Sequence, residues 1–124
     1  MLNQLLFYLG GAITLIWGVS HLFPTRSVVK GFGEISIDNK RIITMEWITE
    51  GVALIFIGVN IIGVTLVESG SKVAAFIYFT SVVELILLAV VSLFTGYRIN
   101  FLPFKLCPFL FSASAILILL GYIL

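Results

Sequence analysis

Three carboxylates and one imidazole are the residues of this sequence best placed to do chemistry. Glu46 and Glu50 stand one helical turn apart, so a helix presents both on one face. Glu84 is the sole charged residue in the apolar run from Val73 to Thr95, and His21 closes the first apolar run, Leu5 to Phe23. A charge at mid-bilayer costs between ~2.5 and more than ~10 kcal/mol, so an ionisable group there marks a site by default. Turned inward together, Glu46, Glu50 and Glu84 would counter the positive charge of a small amphipathic or cationic ligand, or relay protons, with His21 at the mouth. A second reading makes Glu50 or Glu84 a general acid/base in a membrane enzyme acting on a lipid-like substrate. The third is structural. Burial favours the neutral carboxyl, which then donates a hydrogen bond to a neighbouring helix and serves packing or assembly. For His21 and Glu46 the plain alternative is a hydrated place in the headgroup layer, because side chains at helix ends snorkel.

Other motifs carry less. His21 with Glu46 and Glu50 offers nitrogen and oxygen donors of the kind zinc or iron takes. The spacing, however, is Glu-x-x-x-Glu, not the Glu-x-x-His of di-iron bundles, and neither a metal nor a cofactor is expected. Cys107 is followed by Pro108 and is the only cysteine, so dithiol chemistry within one chain is excluded. Gly31-Phe32-Gly33 reads as a bend, since no Lys-Ser/Thr follows to complete a phosphate loop. Asn60 reads as a residue pairing across helices.

These residues must be positioned by a membrane bundle. Of 124 residues, 60% are hydrophobic and only 10% charged, with a mean hydropathy of +1.21. Soluble domains are nearer 45–50% apolar and about 25% charged, which excludes a water-soluble globule and a disordered tail. Seven Lys+Arg against six Asp+Glu leaves a formal charge of +1, so no nucleic-acid partner is expected. Spans of about 20 residues are predicted over residues 5–23, 39–67, 73–95 and 104–124, a single integral-membrane domain. MLNQ lacks the Lys or Arg of a leader, so the first apolar run is expected to be a span. Pro24 is predicted to end span one by pushing its predecessor out of the helical region. Residues 24–38 form the longest connection, in which Arg26, Lys30, Val28, Val29 and Phe32 could lie as a short amphipathic turn in the headgroup layer, broken by Gly31 and Gly33. Asp38 is the expected N-cap of span two.

Arg26, Lys30, Lys40, Arg41, Arg98 and Lys105 fall on one side of this topology and only Lys72 on the other. That bias places the first and third connections in the cytoplasm and both termini outside. Trp17, Trp47, Tyr97 and Tyr122 are expected in the interfacial aromatic belts. Helices in lipid pack best through small residues. The predicted inward stripes are Gly11/Thr14/Gly18/His21, Glu46/Glu50/Ala53/Ile57, Ile77/Ser81/Glu84/Leu88/Val91 and Cys107/Phe111/Ser114/Ile118/Gly121. The expected depth order runs from Arg98, Lys105 and Cys107 near the surface, through His21 and Glu46, to Glu50 and then Glu84.

The stretch Trp17–Gly51, WGVSHLFPTRSVVKGFGEISIDNKRIITMEWITEG, with KLCP at residue 105, resembles small uncharacterised prokaryotic four-span membrane proteins. In size and span count the chain is also similar to the DoxX-like group of four-helix membrane proteins. Those resemblances imply a bundle and no particular reaction, and no catalytic residue is carried over from either. The expectation is therefore an all-α, polytopic transmembrane four-helix bundle in contact with the lipid bilayer. A homo-oligomer is also expected, since four spans enclose a small cavity and the stripes could face a partner chain.

Overall fold

Serine, proline and glycine punctuate an otherwise continuous apolar chain. The computed structural model describes residues 1–124 as five helices: α1 (Leu2–Leu22), α2 (Thr25–Gly31), α3 (Ile37–Glu68), α4 (Lys72–Thr95) and α5 (Leu102–Ile123). All but α2 are long and apolar enough to cross a membrane. The chain is a multi-pass, all-α membrane protein whose spans form a helical bundle.

Local chemistry explains the ends, sometimes differently from expectation. Phe23 keeps helical angles (φ −66°, ψ −46°). Pro24 therefore ends α1 through its missing N–H, not by changing the conformation of its predecessor. Ser36, not Asp38, caps α3: its side chain accepts from the Asn39 N–H at 3.2 Å, while Asp38 sits in the first turn, where a negative charge suits the helix dipole. Gly33 adopts φ +72°, a left-handed turn that favours glycine. Ser71 caps α4 by accepting from the Ala74 N–H at 3.0 Å. Pro103 falls in the first turn of α5 and Pro108 inside it, so the helix begins at Leu102 and runs through the second proline.

α1 packs between α3 and α5, α4 packs mainly on α5, and α3 and α4 meet only over a short length. The closest approach is between α1 and α3. A Cβ on Gly58 would stand 2.7 Å from both Gly11 O and Leu15 N, and one on Gly18 would stand 2.7 Å from Ile55 N and 2.8 Å from Gly51 O. Gly11/Gly18 and Gly51/Gly58 share a seven-residue spacing, so both helices present glycine to each other twice. Apolar burial drives little between helices in lipid. Backbone proximity raises van der Waals contact and brings dipoles together instead. On the other side of α1, the hydroxyls of Thr14 and Ser114 lie 2.7 Å apart and both reach the Gly10 carbonyl, at 3.0 and 2.6 Å. α3 and α4 are joined near their short connection by Thr65 and Tyr78 hydroxyls at 2.8 Å, and the Tyr78 ring stacks on Phe7 at 3.8 Å.

Helix length shapes the opposite end. At 1.5 Å per residue α3 is about 48 Å long and α4 about 36 Å. The first two turns of α3 therefore project beyond α4. α2 lies along this projection, burying Val28 and Val29.

The small-residue stripes of spans one and four are buried as expected, but those of α3 and α4 are rotated. α3 buries Trp47, Gly51, Leu54, Ile57, Gly58, Ile61 and Thr65, keeping Ile57 of its expected stripe, and α4 buries Ala74, Tyr78, Ser81, Val82, Leu85 and Ala89, keeping Ser81. Glycine contact with α1 fixes the rotation of α3 and moves its glutamates to the flank. Asn60 does not pair across helices; it donates to Phe56 O in its own helix at 2.8 Å.

Replacing Gly58 by Ala is expected to force α1 and α3 apart and destabilise the protein by about 1–3 kcal/mol. Gly63→Ala, which meets no atom within 4 Å, is expected to be neutral or stabilising by a few tenths up to ~1 kcal/mol. Thermal unfolding of both variants in detergent checks the contrast, and equal melting temperatures would remove the role given to the glycine contact.

Candidate functional site

The α1–α3 contact builds a polar corner at the end of α1. Removing the Cβ at Gly51 makes room for His21, since a Cβ there would lie 3.1 Å from His21 Cβ and 2.8 Å from Leu22 Cδ2. His21 is 4% exposed. Its ring stacks on Trp47 at 4.5 Å and meets Trp17 edge-on at 5.9 Å. Trp47 Nε1 donates to the His21 carbonyl at 2.6 Å. That bond satisfies one of the carbonyls left unpaired where a helix ends. Phe104, at the start of α5, closes on the other edge of Trp47 at 5.6 Å.

Two buried nitrogens in this corner have no hydrogen-bond partner, Trp17 Nε1 and His21 Nε2. The second faces Glu50 Oε2 at 3.5 Å. Cys107 is buried and reduced in the same region.

Glu50 is half-buried, its side chain 37% exposed, and forms the link from this corner to an open cleft. The cleft, about 390 Å³, lies where α3 and α4 diverge and is lined by Glu46, Glu50 and Glu84 together with Thr49, Phe32 and Leu88, among others. All three predicted carboxylates thus share one cavity. Their burial differs from expectation. Glu46 and Glu84 are exposed, and Glu84 is on the flank of α4, not at the bundle centre. His21 is not at the mouth but buried behind Glu50. Arg98 and Lys105 do not line the cleft, and the lining includes no cation.

The tryptophans also differ from the sequence reading. Trp47 is buried and holds His21, so it does not serve an interfacial belt. Tyr97 and Tyr122 are exposed. The Trp17–His21 contact has a local signal: Trp17 is four residues before His21, and that spacing puts both on one helical face. No three His, Cys, Asp or Glu side chains come together in a way that could hold a metal ion. The arrangement is suited to electrostatic attraction of a cation at Glu46, Glu50 and Glu84, and to proton exchange between Glu50 and His21.

No family model, curated protein or solved structure matches the chain.

Trp47→Phe keeps an aromatic ring but deletes the donor to His21 O, and is expected to cost roughly 1–3 kcal/mol. Trp17→Phe removes an N–H whose one neighbouring acceptor is the weak Cys107 sulfur and is expected to cost less. Denaturant or thermal unfolding of the two variants in one detergent measures the order, and a reversed order would overturn the role assigned to the Trp47 bond.

Proposed function

We propose that this membrane protein binds or transports a small amphipathic or cationic ligand, or protons, in the acidic cleft between α3 and α4. The observation that carries the reading is the set of three carboxylates lining one cavity, the central one backed by an unpartnered histidine nitrogen at 3.5 Å. A site of net negative charge with apolar walls attracts a cation and shelters its apolar part. Glu50 and His21 are the pair through which a proton would enter or leave the helix core. The excess of Lys and Arg on the α2 side supports a cytoplasm-facing cleft with both termini outside. Membership beside the DoxX-like four-span proteins is part of the same proposal.

One observation favours a second reading. Glu84 is exposed twelve residues into α4, about 18 Å from its start, where an isolated charge in lipid is costly. A neighbouring copy would cover it, making the carboxyl an assembly contact. Glu84→Leu then lowers the melting temperature or the oligomeric state, whereas ligand binding survives at Glu50.

The test uses tetraphenylphosphonium as the probe cation, with purified chain in neutral detergent and equilibrium dialysis as the readout. Saturable binding is expected. Glu50→Gln should weaken it about ten-fold or more, the loss of close to one charge–charge contact in a partly hydrated site. Glu84→Gln should weaken it less, and far-UV circular dichroism should show both variants folded. In proteoliposomes carrying a pH-sensitive dye, proton flux should fall with Glu50→Gln if the proton is the cargo. Full binding and full flux in both variants would overturn the reading.

A further inference from the structure

We infer that a second, oppositely charged cleft, between α2 and the first turns of α3, binds the phosphate group of an anionic lipid. It does not rest on the acidic-cleft reading, since its lining residues are all different. The cavity holds about 480 Å³ and is lined by Arg26, Lys30 and Lys40, the threonines Thr25 and Thr44, and a single apolar side chain, Val29.

Three features point to an anion. First, no carboxylate lines the cavity, and none of the three cations has an ion-pair partner. The nearby pair Arg41–Asp38, at 3.8 Å, lies outside it. Second, Arg26 and Lys30 are four residues apart on a seven-residue helix, a spacing at which like charges repel. Lys40 adds a third charge from a different helix, so the cavity gathers three cations with no carboxylate among them. Third, the backbone that carries them is fixed: Val28 and Val29 are buried, and the Thr25 and Thr44 hydroxyls bond to Leu22 O and Lys40 O at 2.8 and 2.7 Å.

Position selects the source of the phosphate. α2 follows directly on the end of a span and lies beside the part of α3 that projects past α4, the level of lipid headgroups. Anionic lipids attract basic clusters at that level, and a lipid presents its phosphate there at high local concentration. The planar guanidinium of Arg26 suits two phosphate oxygens, while Lys30 and Lys40 act as point charges.

The experiment measures the thermal shift of the full chain in neutral detergent with three additives in parallel: dioctanoyl phosphatidylglycerol, dioctanoyl phosphatidylcholine and inorganic phosphate. Phosphatidylglycerol is expected to raise the melting temperature saturably, phosphatidylcholine to leave it unchanged, and added salt to weaken the effect. The apparent affinity should fall about five-fold for each cation removed in Lys30→Gln and Lys40→Gln. Arg98→Gln with Lys105→Gln, which remove two cations outside the cleft, should leave it unchanged. An equal response to inorganic phosphate alone would overturn the lipid source and assign the cleft to free phosphate. No response to either anion would overturn the site, as would equal losses in the Lys30/Lys40 and Arg98/Lys105 variants. Far-UV circular dichroism of each variant separates loss of binding from loss of fold.

Discussion

The approach of α1 to α3 through four glycines is the constraint on which the remaining arrangement depends. In water, helices are driven together by burying apolar surface. In lipid that drive is small, and the contact must come from van der Waals packing and aligned polar groups. With Gly11 and Gly18 facing Gly58 and Gly51, one backbone lies against the other. Once this contact sets the rotation of α3, Trp47 faces the end of α1 and can bond the His21 carbonyl. The space vacated at Gly51 admits the histidine. The same rotation leaves Glu46 and Glu50 on the α4-facing flank. Packing and site thus share one cause.

The bundle is closed unevenly, and the opening follows from helix length and from where polar bonds are made. α3 and α4 are pinned beside their short connection by Thr65 and Tyr78, and α4 otherwise leans on α5. Nothing comparable joins α3 and α4 at the level of Glu50. Carboxylates on facing flanks resist close approach, since bringing like charges together in a poor dielectric is costly. Leu88, Phe32 and Ala53 form part of the apolar wall of the cleft.

Much of this was legible in the residues, and the failures have physical causes. Runs of about twenty apolar residues bounded by Pro24, ESGSK and GYRINFLP are unambiguous because lipid demands satisfied backbone along each run. The stripes of α1 and α5 were readable because most of the glycine, serine and threonine in those helices shares one face, with Ser20 and Ser112 off it. In α3 two competing stripes exist, one of glycines and one of glutamates, about one position apart. Polar character alone suggested that the acids turn inward. Steric necessity at Gly51 and Gly58 decides otherwise. The partnership of Trp47 with His21 links residues 26 apart, and no local spacing encodes it. The two tryptophans resemble interfacial anchors in any composition-based reading, since an indole near a span end is ordinary in a membrane protein.

Buried polar groups are nearly always hydrogen-bonded, and each left unpaired costs about 1–3 kcal/mol. Here His21 Nε2 lacks a partner, and Trp17 Nε1 in the same corner has no acceptor stronger than the Cys107 sulfur. Phenylalanine at 17 and leucine at 21 would fill similar space without that cost. Local conflicts of this kind concentrate where function outweighs stability. His21 Nε2 is aimed at Glu50, at a distance too long for a good hydrogen bond and short enough for a modest movement of the half-exposed carboxylate to make one. Glu50 thus borders the buried histidine on one side and the cleft on the other. The histidine is enclosed and the carboxylate partly free, and both conditions follow from the glycine contact behind them.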